Sequence, residues 1–131
     1  LCRYQSGDIL YVRETWCKGS YGNEKEKYYY KADDNNFFCT WHPSIHMPKE
    51  AARIWLKVTN VRVERLQDID IDGIRNEGLS STAVHVGDMS IALKEWALLW
   101  NSIVKKSDID TYGWDANPYV WVIEFERCEK Q

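Results

Sequence analysis

The chain has 131 residues and a formal net charge of −3 at pH 7, a size that fits one domain over residues 1–131 with a core of its own. No stretch approaches the roughly 20 apolar residues of a membrane helix. No signal-peptide pattern opens the chain, and its acidic balance excludes a general polyanion binder.

Seven Trp and eight Tyr are many for this length; such rings fill cores, stack on bases or line ligand pockets. The chain begins with Leu1 rather than Met, and an upstream piece is expected. None of Cys2, Cys17, Cys39 and Cys128 forms a C-x-x-C pair, and no His stands at zinc-finger spacing from them. Without a secretory signal, reduced thiols in a cytoplasmic protein are expected.

Gly7-Asp8 marks a turn, and residues 8–16 then alternate as a strand does. Leu10 and Val12 share one face, and Glu14 follows on it. A carboxylate placed after two apolar residues costs desolvation energy unless it is paired. Glu14 is therefore either a structural acceptor with a fixed partner or part of a ligand site. Residues 17–27 are polar and turn-rich and read as a mobile loop. Residues 28–32 form a short strand, closed by the turn cluster Asp33-Asp34-Asn35-Asn36. From Trp41 to Pro48, two prolines five apart predict an ordered loop without regular structure.

Residues 52–66 carry the longest strand signal. Ile54, Leu56 and Val58 keep one phase while Val61 and Val63 keep the other, which predicts a bulge or bend at Thr59-Asn60. Residues 68–78 predict a helix with Asp70 and Asp72 in its first turns and Gly78 as its stop. Residues 79–88 read as a linker ending in Asp88, the N-cap of a helix over 89–104. Its apolar stripe is Met89, Leu93, Trp96, Trp100 and Ile103. Residues 105–118 are a polar loop. The last strand, 119–127, places Tyr119, Trp121, Ile123 and Phe125 on one face. This order predicts an α+β fold, a small mixed β-barrel with two helices packed at one side.

Charge is unevenly spread. Between residues 49 and 65, five bases (Lys49, Arg53, Lys57, Arg62, Arg65) face two acids (Glu50, Glu64), so this segment is +3 and the rest of the chain −6. Such segregation makes either one basic face or a solvated strand face. As a basic face, Arg53, Lys57 and Arg62 would meet phosphates, with Arg13 at the rim of a cleft. Trp16, Trp41 or Trp114 would stack on an unpaired base. Trp41, Ser44 and His46 either line that cleft or plug the barrel mouth; Trp114 serves either as a stacking wall or lid, or as a core plug.

His42 and His46 have the spacing of a helical metal pair, but Pro43 and Pro48 forbid the helix and no third ligand is close in sequence. No metal and no cofactor are expected. There is no Ser-His-Asp spacing, nucleophile elbow or phosphate-cradling glycine loop. Acid-base ribonuclease chemistry would have His46 with His42 or Glu14 to draw on.

Several segments, in order, resemble the ASCH domains of the PUA-like superfamily, in particular a bacterial and phage-encoded branch with a strand of the form GD-x-L-x-VRETW. They are Gly7 to Trp16, Trp41 to Pro48, Arg62 to Ile69, Glu77-Gly78, Leu99-Trp100, and Trp114-Asp115-Ala116-Asn117-Pro118 through Glu124-Phe125. The resemblance implies a PUA-like pseudo-barrel with a cleft between barrel and helices. It also implies a role in binding RNA or modified bases, or amidohydrolase action on acetylated cytidine in one branch. The Gly-x-Lys motif usual at the start of ASCH domains is absent. Of the Lys, Thr and acid used by the amidohydrolase branch, only the acid has a counterpart here, Glu77.

The leading expectation is a domain that binds RNA or a modified nucleotide through that cleft. The alternatives are an amidohydrolase or ribonuclease that needs the missing Lys-Thr motif, with Glu77 as general base, and a phage-associated domain that holds a protein partner. No membrane partner is expected, and the oligomeric state is left open.

Overall fold

A computed structural model describes residues 2–33 and 39–131. The chain divides into two compact units, Leu1–Val61 with Ile123–Gln131, and Arg62–Val122. The five strands among the described residues are β1 (Ile9–Tyr11), β2 (Trp16–Gly19), β3 (Lys27–Tyr30), β4 (Trp55–Arg65) and β5 (Tyr119–Cys128). The α-helices are α1 (Ile71–Asn76), α2 (Thr82–Val86), α3 (Met89–Ile103) and α4 (Ile109–Tyr112). The fold is thus mixed α+β, and among the described residues no helix is long and apolar enough to cross a membrane.

The barrel expected from the sequence is not what these strands build. They form a three-stranded sheet in the order β1-β4-β5 and a separate hairpin, β2-β3. The reason lies in residues 8–16, which change partners instead of running on as one strand. Ile9, Leu10 and Tyr11 pair antiparallel with Lys57, Leu56 and Trp55, and the Val12 amide still reaches the Ile54 carbonyl. Trp16 has already moved to Tyr30 across the hairpin and to His42 through an isolated bridge.

That hairpin corrects the mobile loop expected over residues 17–27. Cys17 is fully buried opposite Tyr29, and it is joined to Cys39 by a disulfide across a Cα separation of 6.2 Å. The expectation of reduced thiols fails for this pair, while Cys2 and Cys128 are free. Spacing motifs do not reveal such a bond, because the two residues meet only through the fold. Asp34, Asn35 and Asn36 of the expected turn cluster lie outside the described residues.

The core of the first unit is Met47, Ala51, Ala52 and Trp55, with Trp16, Tyr28 and Cys128 packed against it. Pro43 and Pro48 each precede a single 3-10 turn, Ser44–His46 and Lys49–Ala51. The prolines thus exclude a longer helix but not these turns, since a residue before the first turn needs no amide proton.

β4 runs unbroken for 11 residues, and the predicted phase change does not occur. Val58 is buried, Asn60, Arg62 and Glu64 are half-buried, and Leu66 is buried again. Val63 is 50% exposed. Trp55 is buried at the start of the strand, and from Val58 onward the even-numbered positions keep the inner face although polar side chains occupy three of them.

In the second unit, Leu66, Ile74, Val84, Ala92 and Trp96 form the core, with Leu93, Trp100, Trp114 and Val120 among the side chains packed on it. α1 begins where the Asp70 carboxylate accepts from the Gly73 amide at 2.7 Å, and Gly78 follows at φ 93°. The expected linker over 79–88 contains α2, capped by Ser81 and ended by Gly87 in the left-handed region. The expected loop over 105–118 contains α4. α3 agrees closely with the periodicity, and Asp88 caps it by accepting from the Ile91 amide. Ile103, however, is exposed. Tyr119, Trp121 and Phe125 of β5 are also exposed, so the aromatic face of the last strand is not a core face. Its inner side is the one that carries Val120.

Candidate functional site

The residues expected to bind a ligand fall into two groups. In the first unit, Arg13, Glu14, Trp16, Trp41, Ser44, His46, Arg53 and Lys57 were candidates. Glu14 is the best buried of its ion-paired groups, with 12% of its side chain exposed. Both of its oxygens accept from Arg53, Oε2 from Nε at 2.9 Å and Oε1 from Nη2 at 2.8 Å. The third guanidinium nitrogen donates to Asp33 at 2.8 Å, and the planar group lies over the Tyr30 ring at 3.9 Å. The Tyr30 hydroxyl in turn donates to the Ala51 carbonyl.

This arrangement fixes the chemistry of its members. The Glu14 hydrogen bonds hold the Arg53 pKa above its ordinary value, against the opposing pull of burial. A fork engaged by two carboxylates and a ring has no face left for a phosphate. Burial chiefly raises the Tyr30 pKa, with Arg53 acting in the other direction. Glu14 is thus the structural acceptor of the two roles open to it.

Its neighbours are similarly engaged. Arg13 donates to the Ile45 carbonyl at 3.3 Å. The Trp16 ring is covered by His42, with centroids 4.7 Å apart, and by Tyr28 at 5.9 Å. No open face of Trp16 follows from this packing, and its buried Nε1 has no partner among the described residues. Trp41 and Ser44 are half-buried, while His46 and Lys57 are exposed. His42 lies against an indole, and among the described residues no three His, Cys, Asp or Glu side chains gather as a metal site.

In the second unit, Arg62 donates to Glu64 at 2.7 Å on the same strand face, which ties down a second member of the basic stripe. Glu77 stands exposed at the C-terminal end of α1. Its carboxylate makes no hydrogen bond or ion pair among the described residues. Amide hydrolysis requires an activated nucleophile and a proton shuttle, and among the described residues no cation is ion-paired to Glu77.

Trp114 is half-buried. It packs on the core and also lines a groove of about 560 Å³ against α3. The floor of this groove is Leu93, Ala97 and Leu98; Lys94, Asn101 and Asp115 supply its polar groups. A second depression of about 440 Å³ shares Asn101, Trp114 and Asp115.

The loop that carries this ring is held on both sides. The Trp114 amide donates to Asn101 Oδ1 at 2.8 Å, and its carbonyl accepts from Gln67 Nε2 at 2.8 Å. The Trp100 indole donates to the Tyr112 carbonyl at 2.8 Å. Asn117, at φ 45°, receives the Gln67 amide on its side-chain oxygen at 2.9 Å. Gly113 is required by space: a Cβ there would run into the Ile109 carbonyl oxygen.

Lys94, Asn101 and Asp115 were not among the expected site residues. Lys94 and Asn101 are seven apart on α3, two helical turns, with Ala97 and Leu98 between them. That spacing was readable as a stripe beside the Trp-Asp-Ala-Asn-Pro loop, but its partnership with the loop depends on the turn through α4.

No family model matches the chain, and neither the curated proteins nor the solved structures compared with it include a significant match.

Proposed function

We propose that this protein binds the unpaired base of an RNA or of a free, modified nucleotide, and that Trp114 is the surface on which the base stacks. The observation that carries this reading is the groove of about 560 Å³ with the indole as one wall, an apolar floor and three polar side chains. Its volume lies within the range of roughly 300–1,000 Å³ usual for small-molecule sites. Base-on-indole stacking contributes roughly 1–3 kcal/mol.

The site is distinct from the basic stripe that the sequence offered. Arg53 and Arg62 are engaged with carboxylates, and residues 62–122 hold six Lys and Arg against ten Asp and Glu, net −4. This balance favours one nucleotide, or one base of a short segment, over a long track of phosphates.

The finer fold reading, a PUA-like ASCH domain, and a cytoplasmic place of action belong to the same proposal. The resemblance of Gly7–Trp16 and Trp114–Pro118 to that family supports them. An amidohydrolase role would rest on Glu77 alone of the motif residues, and a ribonuclease role on His46 with His42 or Glu14, of which Glu14 is held by Arg53 and His42 lies against Trp16.

The test is a tryptophan-fluorescence titration with short single-stranded RNA of mixed sequence and with mononucleotides, at low and raised salt. Saturable quenching that is weakened by Lys94→Glu is expected. Absence of quenching, together with absence of binding by equilibrium dialysis, would refute the reading.

A further inference from the structure

We infer that the Trp114 groove selects guanine. The inference rests on the nucleotide reading and extends it to the identity of the base.

The argument begins with Asn101. Its Oδ1 is committed to the Trp114 amide at 2.8 Å, which orients the side-chain amide and leaves the NH2 group as what it can offer a ligand. The groove therefore presents a donor at Asn101, a cation at Lys94 and an anion at Asp115, around an apolar floor and an aromatic wall. The Asp115 carboxylate has no hydrogen bond or ion pair among the described residues, and both its oxygens are acceptors without a proton to give.

A carboxylate with two acceptor oxygens is best matched by two adjacent donors. On the Watson–Crick edge only guanine provides them, as N1–H and the N2 amino group. Adenine and cytosine each set an acceptor nitrogen beside their single amino donor, and uracil flanks its one N–H with two carbonyls. Each of those bases would turn a lone pair toward Asp115 and leave an unmet acceptor. Guanine also has acceptors at O6 and N7 for the Asn101 NH2 group, and a phosphate on its sugar is complementary to Lys94. The four features of the groove are thus matched by one base: stacking on Trp114, a paired donor edge on Asp115, an acceptor for Asn101 and an anion for Lys94.

The experiment is equilibrium dialysis or calorimetry of the protein with guanosine, adenosine, cytidine and uridine monophosphates in parallel, repeated with Asp115→Asn. Asp115 is exposed, so the substitution leaves the fold intact, as circular dichroism verifies. Guanosine monophosphate is expected to bind about tenfold or more tightly than the other three, the discrimination usual for a two-point base contact. Asp115→Asn is expected to abolish that preference while leaving adenosine monophosphate binding in place. Inosine monophosphate, which lacks the N2 amino group, should fall between guanosine and adenosine monophosphates. Equal binding of all four nucleotides, or a guanine preference that survives Asp115→Asn, would overturn the inference and spare the nucleotide reading. Failure of every mononucleotide and of short single-stranded RNA to bind would overturn both.

Discussion

Arg53 and Glu14 form a two-pronged ion pair across 39 residues of sequence, with contacts of 2.9 and 2.8 Å. The pair joins the segment leaving β1 to the segment entering β4, and it accounts for a carboxylate in an otherwise apolar alternation. With 34% of the Arg53 side chain exposed and 12% of Glu14, the acid is the more dependent partner. Removing Arg53 would leave it largely desolvated and unpaired.

A double-mutant cycle with Glu14→Ala and Arg53→Ala should give a coupling energy of about 1–2 kcal/mol, above that of a surface pair and reduced by the partial exposure of Arg53. Arg53→Lys should recover only part of it, because an ammonium cannot form the fork. Purely additive losses in denaturant unfolding would contradict the structural role given to the pair. Arg53→Glu is accordingly a stability mutation and not a probe of phosphate binding.

Tyr28 should titrate late. Its hydroxyl donates to Glu50 Oε1 at 2.6 Å; that bond, reinforced by burial, pushes its pKa up to about 12 from 10.0. The neutral phenol is the form the folded state favours. Its contribution to stability is therefore complete below pH 10 and is lost as pH rises toward about 12. Phenolate absorbance should show Tyr28 and Tyr30 titrating late, and Tyr28 alone should return toward the ordinary range in Glu50→Gln. An unchanged alkaline titration in that variant would show that the Glu50 bond is not the cause.

The Cys17–Cys39 bond closes a separation of 22 residues. A loop of that length corresponds to roughly 3 kcal/mol of stabilisation in the chain-entropy account. The paired variant Cys17→Ser with Cys39→Ser should lower the unfolding free energy by about that amount. Alkylation of the denatured, unreduced protein should label Cys2 and Cys128 only. Labelling at Cys17 or Cys39 without reductant would show the bond to be absent.

Gly113→Ala tests the support of the groove. The added methyl would meet the Ile109 carbonyl oxygen and also lie 3.1 Å from the Ile109 side chain. The strain should cost about 1–3 kcal/mol and displace the neighbouring Trp114. A lower Tm together with weakened nucleotide binding is expected. Wild-type values for both would mean that the loop accommodates the methyl without moving the ring.

Part of this molecule was legible residue by residue. The sequence by itself determined α3, because a capping Asp88, an apolar stripe and the absence of glycine or proline agree over four turns. It also determined the stop of α1 at Gly78, the final strand, and the demand of Glu14 for a partner, whereas Asp70, read inside the first turns of that helix, is its N-cap. These follow from local rules of periodicity and from the cost of burying a charge, both of which are written in neighbouring residues.

Only the tertiary structure decided which partner Glu14 takes and that residues 8–16 serve two sheets. It alone decided that Cys17 meets Cys39, and that the aromatic face of β5 is exposed while polar side chains occupy the inner face of β4. It also gathered the residues of the groove proposed as the site. The basic stripe read along β4 lost Arg53 and Arg62 to carboxylates, whereas Lys94, Asn101 and Asp115 came together around Trp114. The physical reason is the same in each case. Pairing energies depend on distance in space, and a pair separated by 13 to 39 residues, as Asn101 and Trp114 or Glu14 and Arg53 are, has no local signature until the intervening chain has folded.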